Sequence, residues 1–276
     1  MSGPRVLATV VVAFACALFP CGATSATLDL TPSSAEALLA RVKAVFRAHP
    51  RPPYVVYTLV RRDQHDGTPD FENSYSLKLW CRTSDRSALT RRLWNGKPYG
   101  GMDNITVAFD DVVDPGPPTA DIFERALFAP SSPTPEPSPL SLPTIGGTSV
   151  SKDFDYRVAR ANRDGDLFHL ELEPKRDAAR NRIDALWIDA ATFEIRRMRS
   201  RDHLYLGLTG QSIEDEYDAR FTQRDGLPML ATIHGQTAWG AFETDYTYTD
   251  VSFPATLPAW YFDPKTYGAH RADAPA

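Results

Sequence analysis

The sequence predicts a mainly β protein: an antiparallel, curved sheet (a half-barrel) with an N-terminal amphipathic helix and an irregular, Pro-rich crossing segment. Apolar residues alternate with polar ones along successive short runs from Tyr54 onward, which is the pattern of half-buried strands. Asp-Gly pairs at 164–165 and 225–226 separate such runs, as they do in β-hairpins. Consecutive hairpins build antiparallel sheets, so these observations indicate the fold class.

The composition is that of an ordinary globular protein. Hydrophobic residues make up 42% and charged residues 24% of the 276-residue chain, which excludes the disordered and coiled-coil classes. The net charge is −5, from 30 Lys plus Arg and 35 Asp plus Glu, without the basic excess of nucleic-acid-binding domains. We therefore expect no nucleic-acid partner.

The N-terminus has the three parts of a secretory signal. Arg5 precedes an apolar run over 6–19, and small residues follow up to Ala26. The run of about 14 residues is shorter than the roughly 20 that a membrane-spanning helix needs. We predict a signal peptide over 1–26, one mature domain over 27–276, and an exported, periplasmic or extracytoplasmic location. An uncleaved anchor is the alternative.

The cysteines bear on anchoring and on redox chemistry. Lipid anchoring at Cys21 is disfavoured, because Phe19 and Pro20 occupy positions where small residues are expected. After cleavage only Cys81 remains, so the mature monomer has no intramolecular disulfide. Cys81 alternates with Leu77, which predicts a buried core thiol rather than a nucleophile. The six histidines are scattered without metal-ligand spacing, so neither a metal nor another cofactor is expected.

The first ordered element is an amphipathic helix that begins near Thr31. Ser33 and Glu36 have the spacing of a capping box, and Pro50 stops the helix. We expect the apolar face of this helix to cover the core of the sheet. That face consists of Leu38, Leu39, Val42, Val45 and Phe46.

About ten strands follow, joined mainly as a meander. The Asp-Gly pairs predict type I′ turns, which need positive φ at both central residues. Leu89 and Leu93 are expected on one side of their strand. The predicted strands cover 54–62, 75–82, 87–94, 105–109, 154–158, 168–172, 183–189, 193–201, 213–221, 229–233 and 242–251.

A Pro-rich excursion over 114–143 separates the two sets of strands. It contains nine of the 23 prolines, so no regular ladder of hydrogen bonds passes through it. An interdomain linker and a segment that lies over the sheet are the two alternatives. Apolar residues spaced like one face of a short helix over 120–128 favour the segment over the sheet.

The segment DALWIDAATFEIRR at 184–197 is a strand-turn-strand unit. Asp189 and Thr192 bracket a tight turn, where their short side chains can bond nearby backbone amides. Trp187 and Ile195 belong to the paired strands. The unit resembles the signature of the LolA/LolB-like superfamily, the periplasmic outer-membrane lipoprotein carrier-like half-barrels, and the order of elements is similar. The tail 253–276, with the aromatic residues at 260–262, and the long Pro-rich excursion depart from that pattern.

The resemblance implies an exported protein whose concave apolar surface holds the acyl chains of a lipoprotein or lipid. A half-barrel of this size also has more apolar inner surface than one helix covers, so either the excursion or a ligand is expected there. Each candidate ligand-binding residue also suits ordinary core packing. The candidates are Leu59, Leu77, Leu79, Leu93, Phe168, Leu170, Trp187, Tyr217, Ile233 and Tyr246.

Two charged runs offer further candidates. Arg197, Arg199 and Arg201 share one strand face, where they could recognise anionic head groups or protect a solvated sheet. Three carboxylates of the next strand share one face and are expected opposite arginines across the sheet. These carboxylates are Glu214, Glu216 and Asp218.

The sequence therefore predicts a non-enzymatic carrier or receptor for an acyl chain, lipid, lipoprotein or other apolar ligand. The alternative is an envelope protein-interaction or sensor module whose concave face is filled by its own Pro-rich segment. Nucleophile-elbow and phosphate-loop motifs are absent from the sequence, so an enzyme is not expected. Asp63, His65 and Asp66 could form an acid/base pair, but a turn ending at Gly67 explains them more simply.

Overall fold

The computed structural model describes residues 28–85, 87–106, 156–175, 182–206, 211–237 and 240–273. The leader 1–26, Cys21 and the excursion 114–143 lie outside these ranges, so what was predicted for them stays a prediction. The described helices are α1 (Pro32–Ala48), α2 (Pro264–His270) and 3-10 turns at Ala259–Phe262 and Arg271–Asp273. The described strands are β1 (Leu28–Asp29), β2 (Tyr54–His65), β3 (Thr68–Arg82), β4 (Ser87–Trp94), β5 (Lys97–Thr106), β6 (Tyr156–Asp164), β7 (Leu167–Pro174), β8 (Arg182–Asp189), β9 (Ile195–Leu206), β10 (Gln211–Arg224), β11 (Leu227–Thr237) and β12 (Phe242–Ser252).

All of these strands join one antiparallel sheet. Their order is β1-β6-β7-β8-β9-β10-β11-β12-β2-β3-β4-β5, so two meanders meet where the last strand, β12, pairs with β2. The edges of the sheet are β1 and β5. The predicted fold class, an antiparallel curved half-barrel with an N-terminal helix, is confirmed.

Helix α1 begins differently from the prediction. The hydroxyl of Thr31, the N-cap residue, accepts a hydrogen bond from the backbone N–H of Ser34 at 3.3 Å. The predicted capping box is wrong, because the carboxylate of Glu36 instead accepts the backbone N–H of Val158 in β6 at 2.9 Å. This bond ties the helix to the sheet. The buried residues of α1 are Ala35, Leu38, Leu39, Val42 and Phe46.

The sheet has an inner face, which packs against α1, and an outer face on the opposite side. Alternate residues of a strand point to opposite faces, so Tyr57 and Leu59 lie inside while Val56 lies outside. Cys81 is fully buried on the inner face, and burial raises the pKa of its thiol to about 12. Its expected role as a core thiol is confirmed.

The C-terminal tail covers the outer face of β2, β3 and β4. Tyr261 and Phe262 pack there against Trp80 and Leu89 in a second buried cluster. The hydroxyl of Tyr267 in α2 accepts a hydrogen bond from the guanidinium of Arg91 at 3.2 Å. The tail, which the sequence pattern did not assign, therefore closes a second core.

The backbone conformation of the tight hairpins depends on the residues in their turns. Asp225 and Gly226 both have positive φ, 52° and 76°, as the predicted type I′ turn requires. The first hairpin differs, because its two-residue loop is Gly165–Asp166 and only the glycine, at φ 58°, is left-handed. Asp164 therefore ends β6 instead of forming the turn.

Candidate functional site

Eight of the ten candidate ligand-binding residues lie on the inner face, in two environments. Five are fully buried and belong to the main core: Leu59, Leu79, Leu170, Ile233 and Tyr246. Leu77, Phe168 and Tyr217 are half-buried and pack at the margin of that core. Only the half-buried three offer side-chain surface to a ligand without rearrangement of the core.

The other two candidates, Leu93 and Trp187, lie on the outer face. Leu93 pairs with Ser76, whose neighbour Leu77 points inward, and partners directly across an antiparallel ladder share a face. Trp187 pairs with His169 and lies between the inward-facing Leu186 and Ile188. These two residues therefore do not share a surface with the other eight.

A buried ion pair stands on the inner face near the β2–β3 hairpin. The guanidinium of Arg61 bonds the carboxylate of Asp63 through Nε at 2.9 Å and Nη2 at 2.8 Å. The rings of Tyr75 and Tyr246 flank the guanidinium at 5.6 and 5.5 Å. The hydroxyl of Ser74 accepts the backbone N–H of Asp63 at 3.0 Å. The side chains that surround this charge pair are therefore largely aromatic.

The sequence did not reveal this ion pair because Asp63 was assigned to a turn that ends at Gly67, whereas β2 continues to His65. Pairing with β3 shifts between Arg61 and Asp63, where residues 71–74 of β3 form a bulge. The extra residues interrupt the period of two in β3, whereas Arg61 and Asp63 keep it in β2 and share the inner face. A charged pair two residues apart in a strand is the signal that could have revealed it.

Tyr217 extends the same inner surface on the far side of β11 and β12. Gly235 is its direct partner in β11, and a Cβ atom on Gly235 would come within 2.7 Å of the tyrosine ring. The glycine therefore makes room for the ring to lie flat on the sheet. We call the surface formed by Arg61, Asp63, Tyr75, Leu77, Tyr217 and Tyr246 the inner belt.

A separate small cleft lies beneath the C-terminal end of α1. His49 Nε2 is 3.7 Å from the carboxylate of Glu194 there, and the rest of the lining is apolar. The cleft has space for about one water molecule, and none of the ten candidate residues lines it. In this conformation the cleft is too small for an acyl chain. Its apolar lining is Val42, Val45, Phe46, Phe193, Ile195, Phe221 and Pro228.

The predicted charge ladder on the outer face is confirmed for Glu216 and Asp218, whereas Glu214 lies opposite His203 instead of an arginine. Arg197 forms an ion pair with Asp218, and its guanidinium also lies 4.3 Å from the ring centre of Trp187. Arg201 bonds Glu216 at 3.1 Å. These arginines face carboxylates across the sheet, which favours the solvated alternative over recognition of anionic head groups.

The turn between β8 and β9 is held by Asp189. Its carboxylate accepts the backbone N–H groups of Ala191 and Thr192, both at 2.9 Å, as the residue pattern predicts. The bond from Thr192, reinforced by the guanidinium of Arg196, lowers the pKa of Asp189 to about 2.

Replacement of Asp189 by asparagine is expected to destabilise the fold by about 1 kcal/mol near neutral pH, because a charged acceptor is lost. The folded-state pKa is depressed, so the contribution of the carboxylate is present above its unfolded pKa and is lost as pH falls towards about 2. Urea unfolding of both proteins over this range should show the gap closing. A gap that stays constant down to about pH 2 would contradict this origin.

The described ranges contain no helix that is both long enough and apolar enough to cross a bilayer. They also contain no group of three or more His, Cys, Asp and Glu side chains suited to a metal ion. The geometry defines an antiparallel half-barrel whose apolar inner face packs against α1 and carries the inner belt.

Comparisons with known proteins give likeness in structure only. No protein-family model and no curated protein matches the sequence. A DUF1329 family protein from Desulfovibrio piger is similar over 85% of this chain and 98% of its own, at 15% identity and a TM-score of 0.47. A putative outer membrane lipoprotein-sorting protein domain from Vibrio parahaemolyticus is similar over 86% of this chain and 99% of its own, at 11% identity and a TM-score of 0.44. A LolA superfamily protein from Nitrosomonas europaea is similar over 84% of this chain and 98% of its own, at 13% identity and a TM-score of 0.42.

Proposed function

We propose that the protein is an exported, non-enzymatic carrier or receptor that binds an acyl chain, lipid or other elongated apolar ligand on its inner face. The observation that carries this proposal is the inner belt. Tyr75, Leu77 and Tyr217 are half-buried on a face whose deeper positions form a complete core. Half-buried aromatic and aliphatic side chains on a concave sheet are typical of sites for apolar ligands.

The belt also suggests how such a ligand would lie. Leu77 is next to Leu59 of the core, while Tyr75 is next to the charged Arg61, one step nearer the end of the sheet. Apolar surface thus changes to polar surface along the direction of the strands. An acyl chain would contact Leu77 and the tyrosine rings, and its polar end would lie towards the ion pair and the solvent.

Two leucines provide a matched test of this surface. Leu77 and Leu93 are both half-buried on adjacent strands but lie on opposite faces. We expect Leu77→Glu to weaken uptake of a fluorescent fatty acid at least tenfold, because it places a charge on the apolar surface. Leu93→Glu should leave uptake close to that of the unchanged protein.

Mass spectrometry of organic extracts from gently purified protein provides an independent measurement. A lipid or fatty acid in stoichiometric amount supports the proposal. Protein that carries no extractable ligand and takes up no fluorescent fatty acid would contradict it, and would favour the interaction or sensor module. Equal loss of uptake in both leucine variants would also contradict an inner-face site.

A further inference from the structure

The three large apolar side chains that are most exposed in the described ranges lie at one end of the sheet. They are Phe71, Trp94 and Phe242, with 82%, 65% and 46% of their surface exposed. Three large rings exposed at the same end of a sheet are candidates for an interaction surface. We call these three residues the aromatic corner.

The sheet register places the aromatic corner beside the inner belt. Phe242 opens β12 and pairs with His65 at the end of β2, and their rings stack at 4.2 Å. Trp94 ends β4 one residue beyond the Leu93–Ser76 pair, so it is level with Tyr75 of the belt. β12 and β4 are three strand spacings apart, and Phe242 is level with His65, four residues beyond Arg61, so the corner spans about 15 Å across the strands and about 13 Å along them.

The third ring is displayed by a stabilised bulge. Residues 71–74 stand opposite a single residue of β2, which turns Phe71 away from the ladder. The carboxylate of Asp70 accepts the backbone N–H of Glu72 at 3.0 Å, and the hydroxyl of Ser74 donates to the backbone carbonyl of Asp70. The exposure of Phe71 is therefore a property of a hydrogen-bonded backbone.

We propose that the aromatic corner docks the protein on the surface of a lipid bilayer, where the ligand enters or leaves the inner belt. This inference rests on the proposed function, because the ligand that enters or leaves at the bilayer is the acyl chain or lipid proposed above. Separate aromatic rings between polar residues suit the bilayer interface, which accepts individual side chains without a complementary shape. A protein partner would instead require one continuous, well-packed patch.

The charged side chains around the aromatic corner indicate which kind of bilayer surface it fits. The exposed ionic side chains of its hairpins and bulge are Arg62, Lys97, Asp66 and Glu72, two of each sign. Such a balance gives little attraction to an anionic membrane. The corner therefore fits a zwitterionic surface, and its binding should depend only weakly on salt.

Vesicles of phosphatidylcholine with brominated acyl chains provide the test. The purified chain should bind them, and Trp94 emission should be quenched because its ring enters the bilayer. Trp94→Phe should keep the binding and lose most of the quenching. Phe71→Ser, Trp94→Ser and Phe242→Ser together should weaken vesicle binding at least tenfold, while uptake of soluble fluorescent fatty acid stays unchanged.

Other results would overturn the inference. Failure of the protein to bind phosphatidylcholine vesicles would reject it, and so would a triple variant that binds as well as the parent. A strict requirement for anionic lipid would likewise reject docking by a neutral corner. If the parent protein self-associates but does not bind vesicles, and the triple substitution abolishes the self-association, the corner contacts a second copy of the chain instead of a membrane. Vesicle binding by a protein that takes up no fatty acid would reject the proposed function and leave the docking corner standing.

Discussion

Replacement of Phe262 by alanine is expected to lower the free energy of unfolding by about 3–5 kcal/mol. Phe262 is only 5% exposed, it stacks on Tyr54 with 5.9 Å between ring centres, and the guanidinium of Arg82 lies over its ring. Truncation would leave a cavity between the tail and the outer face of the sheet. Chemical denaturation with a two-state analysis measures the change.

Phe71→Ala is the matched control for this experiment. It removes the same atoms from a ring that is 82% exposed, so we expect a change of less than about 0.5 kcal/mol. If Phe262→Ala changed the free energy of unfolding as little as the control does, the tail would be only loosely packed on the sheet. Leu89→Ala, on the sheet side of the same cluster, should show a loss of comparable size.

Replacement of Arg61 by leucine is expected to cost roughly 3–5 kcal/mol, because it leaves the carboxylate of Asp63 buried without its partner. The two side chains are only 18% and 10% exposed in the structure. The double variant Arg61→Leu/Asp63→Leu should recover most of the loss, since it removes both charges. Thermal or denaturant unfolding of the parent, the two single leucine variants and the double variant completes the double-mutant cycle.

An exposed ion pair provides the control for that cycle. Arg157 and Glu173 are 65% and 50% exposed, so Arg157→Leu should cost less than about 1 kcal/mol. Equal effects at Arg61 and Arg157 would show that the inner ion pair is solvated like a surface pair. A double variant as unstable as Arg61→Leu would show that the side chains matter for packing and not for charge.

The sequence predicted those parts of the fold that depend on regular periods. The apolar face of α1 follows from the helical period of 3.6 residues. The meander and the pairing of Arg197 with Asp218 follow from the strand period of 2 residues. The turn at Asp189 was predictable for a related reason, because its hydrogen bonds join residues close in sequence.

The orientation of Leu93 and Trp187 could not be read from their own strands. Both strands carry apolar residues on two faces, so a period of two does not say which face is inside. The outer side of β4 is apolar because the tail covers it, and Tyr261 is far away in the sequence. Trp187 is covered by stacking on His169, at 4.7 Å, and by an arginine.

The ion pair of the inner belt was missed for a third reason. Asp63 was assigned to a turn, but β2 continues to His65 and places Asp63 on the same face as Arg61. The bulge in β3 depends on the pairing with β2, which the sequence of β3 alone does not show. The exposure of Phe71 in the aromatic corner depends on this bulge. From the sequence, Phe71 looks like an ordinary strand residue, and only the bulge turns it outward.

The junction between β12 and β2 determines when this sheet can be completed. Tyr246 lies opposite Arg61, so the contact joins segments separated by most of the chain, and folds with many such contacts form slowly. A chain that is made from its N-terminus onward presents β2 with one unpaired edge until the last strand exists. Unpaired edges invite association with other chains, and the charges at 61–63 oppose it during that interval. Residues that pair in the finished sheet therefore also protect the unfinished one.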